Sequence, residues 1–265
     1  APYGAEDFDI LQKHGISLFD YLDDQAHFTE LVPEYNGIFY KKANDQILDD
    51  LEAKNFLFKK EKVLHKVPIC WRTDTPLIYR PIKSWYIAVT KLKEQLIKQN
   101  KTVNWVPDHV GSGRMETWLE NVRDWALSRN RYWGTPLPLW INDKTGEKRF
   151  IGSFAEIEEL SGIKIEDPHK PFVDEITWED KTNGGIFRRV PDVIDVWYDS
   201  GSMPFAQYHY PFENKELFEA KFPAEYVAEM YEQARLWFYT LLVVNTALFG
   251  KVPYKNVVAH GVMLA

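Results

Sequence analysis

The segment that decides the fold of this 265-residue chain lies at residues 225–264 and has the sequence EYVAEMYEQARLWFYTLLVVNTALFGKVPYKNVVAHGVML. A short run at 225–229 predicts a strand, and the long apolar run at 232–249 predicts a helix. Gly250 supplies the stop signal for that helix. Residues 256–264 predict a second strand. Strand, long helix and strand form a βαβ unit, which indicates parallel strands in an α/β sheet.

Polar side chains follow both of these predicted strands. Glu229, Glu232 and Gln233 come after the first strand, and His260 and Gly261 lie near the end of the second. In open α/β sheets, ligands bind at the carboxyl ends of the strands. We therefore expect the two groups to face a shared crevice. For a lone histidine in a strand, the alternative is a structural role.

Upstream of this unit the sequence is less regular. Apolar residues recur at helical spacing through residues 7–62, whereas short aromatic and β-branched runs at 68–86 predict strands. Two helices and one further strand are predicted at 90–100, 114–128 and 193–198, the last continuing into a loop at 199–202. A charged, turn-rich stretch between them is expected to be an insertion. The chain is thus predicted to have four parts, at residues 1–88, 89–141, 142–190 and 191–265.

The composition is that of an ordinary folded protein. Hydrophobic residues make up 45% of the chain, which is enough to bury a sizeable core. The net charge of -7 means that the overall field does not attract RNA, although a local basic patch could still bind it. The single cysteine, Cys70, excludes an internal disulfide and is typical of a reducing compartment. The longest apolar run, 236–249, is too short and too polar to span a bilayer, so we expect a cytoplasmic protein without a membrane partner.

Three segments resemble the motifs of one enzyme family. Residues 125–138 (WALSRNRYWGTPLP) resemble the motif W-x-I-S-R-x-R-Y-W-G-T-P-x-P, and residues 195–204 (DVWYDSGSMP) resemble D-V-W-F-D-S-G-S-x-P. Residues 228–239 (AEMYEQARLWFY) resemble A-E-G-x-D-Q-T-R-G-W-F-Y. These motifs occur in the same order in the large class I aminoacyl-tRNA synthetases for branched aliphatic amino acids. The D-S-G-S-M-P form, followed by QYHYPF at 207–212, resembles the isoleucine branch.

The resemblance implies an α/β fold that is the second half of a class I Rossmann-type catalytic domain. It makes 1–88 the tail of the editing (connective peptide) domain with connecting strands, 89–141 the start of the second catalytic half, 142–190 a small α+β connective insertion, and 191–265 the Rossmann-type βαβ half. The family's H-I-G-H and K-M-S-K-S signatures, which supply charge at the phosphates, are not in this sequence. We therefore expect an internal segment with cut ends that is inactive alone. Its partners would include the missing halves of its own catalytic and editing domains.

The resemblance also implies roles for the residues that follow the two strands. Glu229, Glu232 and Gln233 match the family's residues that hydrogen-bond the ribose and the polar end of the amino acid. The aromatic residue that lines the isoleucine side-chain pocket matches Trp237, for which a core position is the alternative. The strand that carries the adenine of ATP matches His260, Gly261, Val262 and Met263.

Four positions of this segment depart from the family motif. Met230 and Leu236 stand where the family has glycine, Glu232 where it has aspartate, and Ala234 where it has threonine. The change at Met230 matters most, because glycine usually marks a close approach of the backbone to a ligand. These departures indicate either a divergent branch with a rearranged pocket or a weakened site.

Two further sites are implied by matching residues. The amino-terminal APYGAED resembles the end of the editing motif H-x-A-P-x-x-G-x-x-D, so Asp7 matches the carboxylate that holds the ammonium of a wrongly attached amino acid. The alternative for Asp7 is an acid that interacts with a helix dipole. The cluster of Arg129, Arg131, Tyr132 and Trp133 is expected either to contact the acceptor end of tRNA or to form a hinge between modules.

The segment around the single cysteine resembles a family segment in which C-W-R-C supplies zinc thiolates. Here Thr73 replaces the second cysteine of that motif. Because a structural zinc site needs four ligands, we predict no zinc and a buried, structural role for Cys70.

The function implied by the resemblance is that of an ATP-dependent ligase. With ATP and Mg²⁺ it would activate isoleucine to the aminoacyl-adenylate, transfer it to tRNA(Ile), and hydrolyse mischarged valine. Two alternatives stay open. One is a non-catalytic tRNA-binding or regulatory module derived from a synthetase, and the other is the leucine or valine branch of the same family.

Overall fold

The computed structural model describes residues 4–261, and the chain divides between Lys83 and Ser84 into two compact units. The first unit contains helices α1 (Ala5–Lys13) and α2 (Tyr40–Ala53). Among residues 4–83 the buried apolar side chains are those of Leu22 and Ala43, so this unit has a small core.

The strands predicted across residues 68–86 are largely wrong. In their place the first unit has an isolated antiparallel bridge between Ile69 and Pro76. The apolar side chains of this stretch, including those of Trp71 and Tyr79, are mostly exposed. Without a buried face to pack against, aromatic and β-branched residues do not by themselves form a sheet.

The second unit contains the remaining helices and strands. In chain order these are β1 (Tyr86–Ile87), α3 (Lys93–Asn100), β2 (Asn104–Val106), α4 (Glu116–Glu120), β3 (Trp125–Ala126), β4 (Ser128–Arg129), β5 (Leu139–Asn142), β6 (Lys148–Phe150), α5 (Phe154–Ser161), β7 (Trp178–Glu179), β8 (Ile186–Arg189), β9 (Val193–Ile194), α6 (Val196–Ala206), α7 (Lys215–Lys221), β10 (Ala224–Met230), α8 (Trp237–Phe249) and β11 (Tyr254–His260).

A three-stranded parallel sheet with the order β10-β11-β2 forms the main core. Strands β10 and β11 are parallel neighbours connected by α8, which confirms the predicted βαβ unit. Helix α8 is buried along most of its length, as expected for a helix that is apolar on all sides. Its Phe238 packs edge-on against Trp105 of β2 and against Tyr254 of β11. The helix ends at Gly250, which has a left-handed φ of 65°.

A separate antiparallel sheet with the order β6-β5-β8-β7 forms a second core. Trp140, Trp178 and Phe187 fill it, and the indole N–H of Trp140 donates to the Ile176 carbonyl at 2.8 Å. Most of this sheet lies in residues 142–190, the stretch expected to be a small α+β insertion.

Two predicted elements of the second unit are wrong in type or length. The strand predicted at 193–198 ends at Ile194, and the expected loop after it is helix α6. Helix α6 begins there because the carboxylate of Asp195 accepts a hydrogen bond from the backbone N–H of Trp197 at 3.2 Å, an N-cap. The helix predicted at 114–128 is a π-helical turn at Val110–Met115 followed by the short α4.

The long helix predicted from residue 232 also begins later than expected. Residues Tyr231–Arg235 form a 3-10 turn, and α8 starts at Trp237 after a break in helical geometry at Leu236. The side-chain oxygen of Gln233 accepts a hydrogen bond from the backbone N–H of Trp237 at 3.0 Å and so caps the new helix. The turn therefore presents its side chains at the end of β10 and is not the first turn of α8.

Candidate functional site

The carboxyl ends of β10 and β11 lie side by side, as the parallel pairing requires. Glu229 pairs in register with Ala259, and Met230 pairs with His260. The Glu229 side chain is half-buried, and His260 is exposed. The structure thus brings Glu229 and His260 to one edge of the sheet, where the sequence predicted a crevice. Of the predicted adenine-binding residues, Val262 and Met263 lie outside the described residues.

The Glu232 carboxylate is the most informative group at this edge. Glu232 is on the 3-10 turn that directly follows β10. One of its oxygens, Oε2, is buried and accepts no hydrogen bond from the described part of the chain. A buried carboxylate oxygen without a donor is costly, and such oxygens are rare in folded proteins. A ligand with hydroxyl or ammonium donors would satisfy this oxygen.

Trp237 begins α8 beside this turn and is held at two atoms. Its backbone N–H donates to Gln233, and its indole Nε1–H donates to the Ser200 carbonyl oxygen of α6 at 3.1 Å. The side chain is half-buried and contacts the main core. Gln233 therefore uses its side-chain oxygen as a helix cap, a structural task that the sequence did not predict.

Asp195 joins two of the sequence motifs. Its buried carboxylate accepts hydrogen bonds from the indole N–H of Trp125 at 2.9 Å and from the guanidinium of Arg129 at 2.5 Å, in addition to capping α6. Arg129 also donates to the backbone carbonyls of Ala126 and Ser128. The Arg129 guanidinium is thus held in contacts within the chain.

Comparison with known proteins decides the family. The family model described as tRNA synthetases class I (I, L, M and V) matches residues 19–265. The chain belongs to the class I tRNA synthetases. Its fold is accordingly the mixed α/β catalytic fold of that family.

Individual relatives of this synthetase chain are similar over nearly all of its length. An isoleucine–tRNA ligase from Wolbachia sp. subsp. Brugia malayi is 49% identical over 99% of the chain, and one from Bdellovibrio bacteriovorus is also 49% identical over 99%. The chain spans about a quarter of the length of these relatives, 24% and 25% respectively. A solved methionyl-tRNA synthetase of Mycobacterium tuberculosis is similar to this chain with a TM-score of 0.45 and 14% identity. The similar region includes 97% of this chain and 43% of the solved protein.

The departure from the synthetase motif at Met230 is accommodated by the local backbone. Met230 has a φ of -61° and a ψ of 149°, an extended conformation that any residue adopts. Ala234 is fully buried in the main core, and Leu236 is partly exposed. The conformational freedom of glycine is therefore not needed at Met230.

The exposed residues predicted to contact tRNA lie on one loop of the synthetase chain. Tyr132 and Trp133 are both 67% exposed, and Arg131 is exposed as well. The Trp133 ring stacks on His169 with centroids 4.9 Å apart and an interplanar angle of 11°. The Lys170 ammonium lies 5.8 Å from the Tyr132 ring centroid. Aromatic and basic groups are therefore combined on this surface, whereas Arg129 is tied to Asp195.

In the first unit, Asp7 and Cys70 lie in ordinary structural surroundings. Asp7 is exposed in the first turn of α1, where an acid interacts favourably with the helix dipole. Cys70 is half-buried, so the prediction of a buried cysteine is wrong. A hydrogen bond from the Thr73 side chain is the main cause that lowers the pKa of the Cys70 thiol.

Within residues 4–261, no group of three or more His, Cys, Asp or Glu side chains is arranged to hold a metal ion. The expectation of no zinc stays a prediction. None of the helices in this range is long and apolar enough to cross a membrane.

An open cavity of about 410 Å³ lies at the opposite, amino-terminal end of β10 and β11. Apolar residues of α6 and α7, including Pro204 and Phe218, line it together with Tyr254. This cavity was not predicted from the sequence, because its walls come from four separate segments. None of the predicted site residues within 4–261 lines it.

Proposed function

We propose that this chain forms one wall of the adenylate site of an isoleucine–tRNA ligase. The whole protein would join isoleucine to ATP, with Mg²⁺, and transfer the aminoacyl group to tRNA(Ile) in the cytoplasm. The observation that supports this most is Oε2 of Glu232 at the carboxyl edge of β10, which is buried and has no donor among residues 4–261. The similarity to isoleucine–tRNA ligases over 99% of the chain supports the choice of amino acid.

The residues at this edge have the chemistry that an aminoacyl-adenylate requires. The carboxylates of Glu229 and Glu232 can accept hydrogen bonds from ribose hydroxyls or from the α-ammonium of the amino acid, and such charge-assisted bonds are strong. Trp237 offers a half-buried aromatic surface to an aliphatic side chain. His260 and Gly261, with Val262 and Met263, would bind adenine. Positioning and charge stabilisation of this kind supply most of the catalysis in phosphoryl chemistry.

Groups outside these motifs must act on the phosphates, because this sequence contains neither H-I-G-H nor K-M-S-K-S. We propose that other parts of the whole protein supply them. Residues 1–88 would then be the tail of an editing domain, with Asp7 binding the ammonium of mischarged valine, and 142–190 the connective insertion. Editing is needed because isoleucine and valine differ by one methylene, whose burial is worth only about 0.8 kcal/mol.

We further propose that the exposed loop with Arg131, Tyr132 and Trp133 contacts the tRNA end. The exposed rings of Tyr132 and Trp133 suit stacking with unpaired bases, and the exposed Arg131 suits pairing with phosphates. Arg129 would support this loop through Asp195 rather than bind RNA directly. A hinge between catalytic and editing modules is the competing role for the same segment.

The test is amino-acid-dependent ATP–pyrophosphate exchange by the full-length protein that contains this chain. We expect exchange with isoleucine, weaker exchange with valine, and little with leucine. Exchange that is strongest with leucine or valine would move the protein to another branch of the family. If tRNA binds but no amino acid supports exchange, the non-catalytic tRNA-binding module replaces the ligase, and Met230 and Leu236 mark the loss of the site.

A further inference from the structure

Helix α6 contains a proline that frees a backbone carbonyl. Pro204 lies inside the helix and has no N–H, so the carbonyl of Ser200, four residues earlier, receives no helical hydrogen bond from it. The proline ring also crowds that carbonyl and pushes it outward. The indole Nε1–H of Trp237 donates to this same oxygen at 3.1 Å. A side chain of α8 thus takes the place of the missing backbone donor.

Contacts next to this bond fix the distance between the two helices. The amide Nδ2 of Asn245 donates to the Gly201 carbonyl of α6 at 3.0 Å and to the Leu241 carbonyl of its own helix at 2.8 Å. Gly201 is buried, and a Cβ there would lie 2.9 Å from the carbonyl oxygen of Thr240. Because the backbones are this close, the Ser200 oxygen has a defined position relative to the indole of Trp237.

The Trp237 ring is therefore oriented by two bonds of different origin. Gln233 accepts from its backbone N–H, which fixes where α8 begins. The Ser200 carbonyl accepts from its indole N–H, which fixes the ring's rotation. The indole N–H is bound to Ser200, and one face of the ring packs on the main core. The exposed face of the ring is therefore held in one orientation.

We propose that Pro204 is a positioning residue that sets the width of the amino-acid pocket through the Ser200 carbonyl and Trp237. This inference rests on the proposed function, in which Trp237 lines that pocket. Pro204 itself lines a cavity at the other end of the strands and acts only through the freed carbonyl. In Pro204→Ala the new N–H competes for the Ser200 oxygen, and the carbonyl turns back into its helix. The indole then loses its partner and the ring gains freedom.

The first readout does not depend on enzyme activity. In protein labelled with ¹⁵N-tryptophan, the indole signal of Trp237 is assigned as the one that disappears in Trp237→Phe. We expect Pro204→Ala to shift this signal toward that of a free indole and to speed its exchange with solvent. Pro33→Ala, at the first position of a 3-10 turn in the first unit, is the control and should leave the signal in place. An unmoved signal in Pro204→Ala overturns the inference.

The second readout is the kinetics of the full-length protein in pyrophosphate exchange. Loss of one hydrogen bond predicts a rise in the KM for isoleucine of about 3- to 10-fold, with the KM for ATP unchanged. Trp237→Phe keeps an apolar ring without the N–H and should show a similar rise, so it serves if Pro204→Ala folds poorly. In the double variant, Pro204→Ala should add nothing to Trp237→Phe.

The two readouts separate the possible failures. If the indole signal moves but the KM for isoleucine does not, Pro204 does not set the pocket and the inference is wrong. A rise in both KM values would show general damage and would also contradict it. If the unaltered protein supports no exchange at all, the proposed function fails, and the pocket role of Pro204 falls with it, whatever the indole signal shows.

Discussion

Gly201 lies where α6 crosses α8, and the structure leaves no room there for a methyl group. A Cβ on Gly201 would lie 2.9 Å from the carbonyl oxygen of Thr240 and 3.0 Å from Cγ2 of Val244. Ordinary contacts begin near 3.4 Å, so in Gly201→Ala the helices must separate by about half an ångström. The obstructing atom at 2.9 Å belongs to backbone and cannot rotate away.

The expected change in the free energy of unfolding combines one stabilising effect with two destabilising effects. Alanine is better than glycine inside a helix by about 1 kcal/mol. Overpacking of a core typically costs about 1–3 kcal/mol. The separation also stretches the bonds from Trp237 to Ser200 and from Asn245 to Gly201, each worth about 0.5–1.5 kcal/mol. We therefore expect the free energy of unfolding to fall by about 1–5 kcal/mol, or the Tm by about 2–20 °C for a unit of this size.

The assay is urea unfolding of the chain, with Gly113→Ala as the matched control. Gly113 lies in the helical turn Val110–Met115, is exposed, and has nothing within 4 Å of an added Cβ. This variant should be neutral or up to about 1 kcal/mol more stable. If Gly201→Ala unfolds at the same urea concentration as Gly113→Ala, with the same m-value, the close crossing of α6 and α8 is refuted.

Two further predictions concern single side chains. Asp195→Ala removes both the cap of α6 and the partner of the half-exposed Arg129. The free energy of unfolding should therefore fall by about 2–3 kcal/mol. A fall well under about 1 kcal/mol in urea unfolding would contradict this. In the first unit, the hydrogen bond to Asp50 raises the pKa of Tyr35 to about 12. Because the folded pKa lies above the unfolded one, this pair stabilises the fold below about pH 10, and the contribution is lost as the pH rises through about 12. In an ultraviolet titration Asp50→Asn should move one tyrosine toward a pKa of about 10, and an unchanged titration curve would contradict the assigned bond.

The sequence predicted the parallel β10–α8–β11 unit because its signals are local and agree with one another. An apolar run long enough for a helix, a glycine stop and two flanking strands leave few other solutions. The polar residues near the ends of the two strands were predicted to face a shared crevice, which stays a prediction, and Glu229 and His260 lie at the same edge of the sheet. This followed from the rule that parallel strands end on the same side of a sheet.

Other elements depend on tertiary contacts that the sequence does not display. The residues after Ile194 look like a continued strand, but the Asp195 cap starts helix α6 instead. Likewise, the chain after α4 leaves its helical pattern because Trp125–Ala126 pairs with β1, and Ser128–Arg129 pairs with β9. Pairing of segments far apart in sequence overrides local propensity in such cases.

The site residues were predicted more completely than their interactions. Glu232 was predicted from motif matching, but only the structure indicates that one of its oxygens is buried with no donor in the described part of the chain. Trp237 was predicted as a pocket residue or a core residue, and it is half-buried with its indole bound to Ser200. That bond joins Trp237 to a backbone carbonyl on a different helix, which no pattern along the chain reports.

The most direct test of the proposed adenylate site is isoleucine-dependent ATP–pyrophosphate exchange by Glu232→Gln in the full-length protein. The control is Glu159→Gln, which makes the same chemical change at an exposed position on α5. Loss of a charged acceptor facing the ligand predicts a fall in kcat/KM of about 10- to 100-fold for Glu232→Gln and none for Glu159→Gln. If the two variants are equally active, the Glu232 carboxylate does not bind the adenylate, and the site is not at this edge of the sheet.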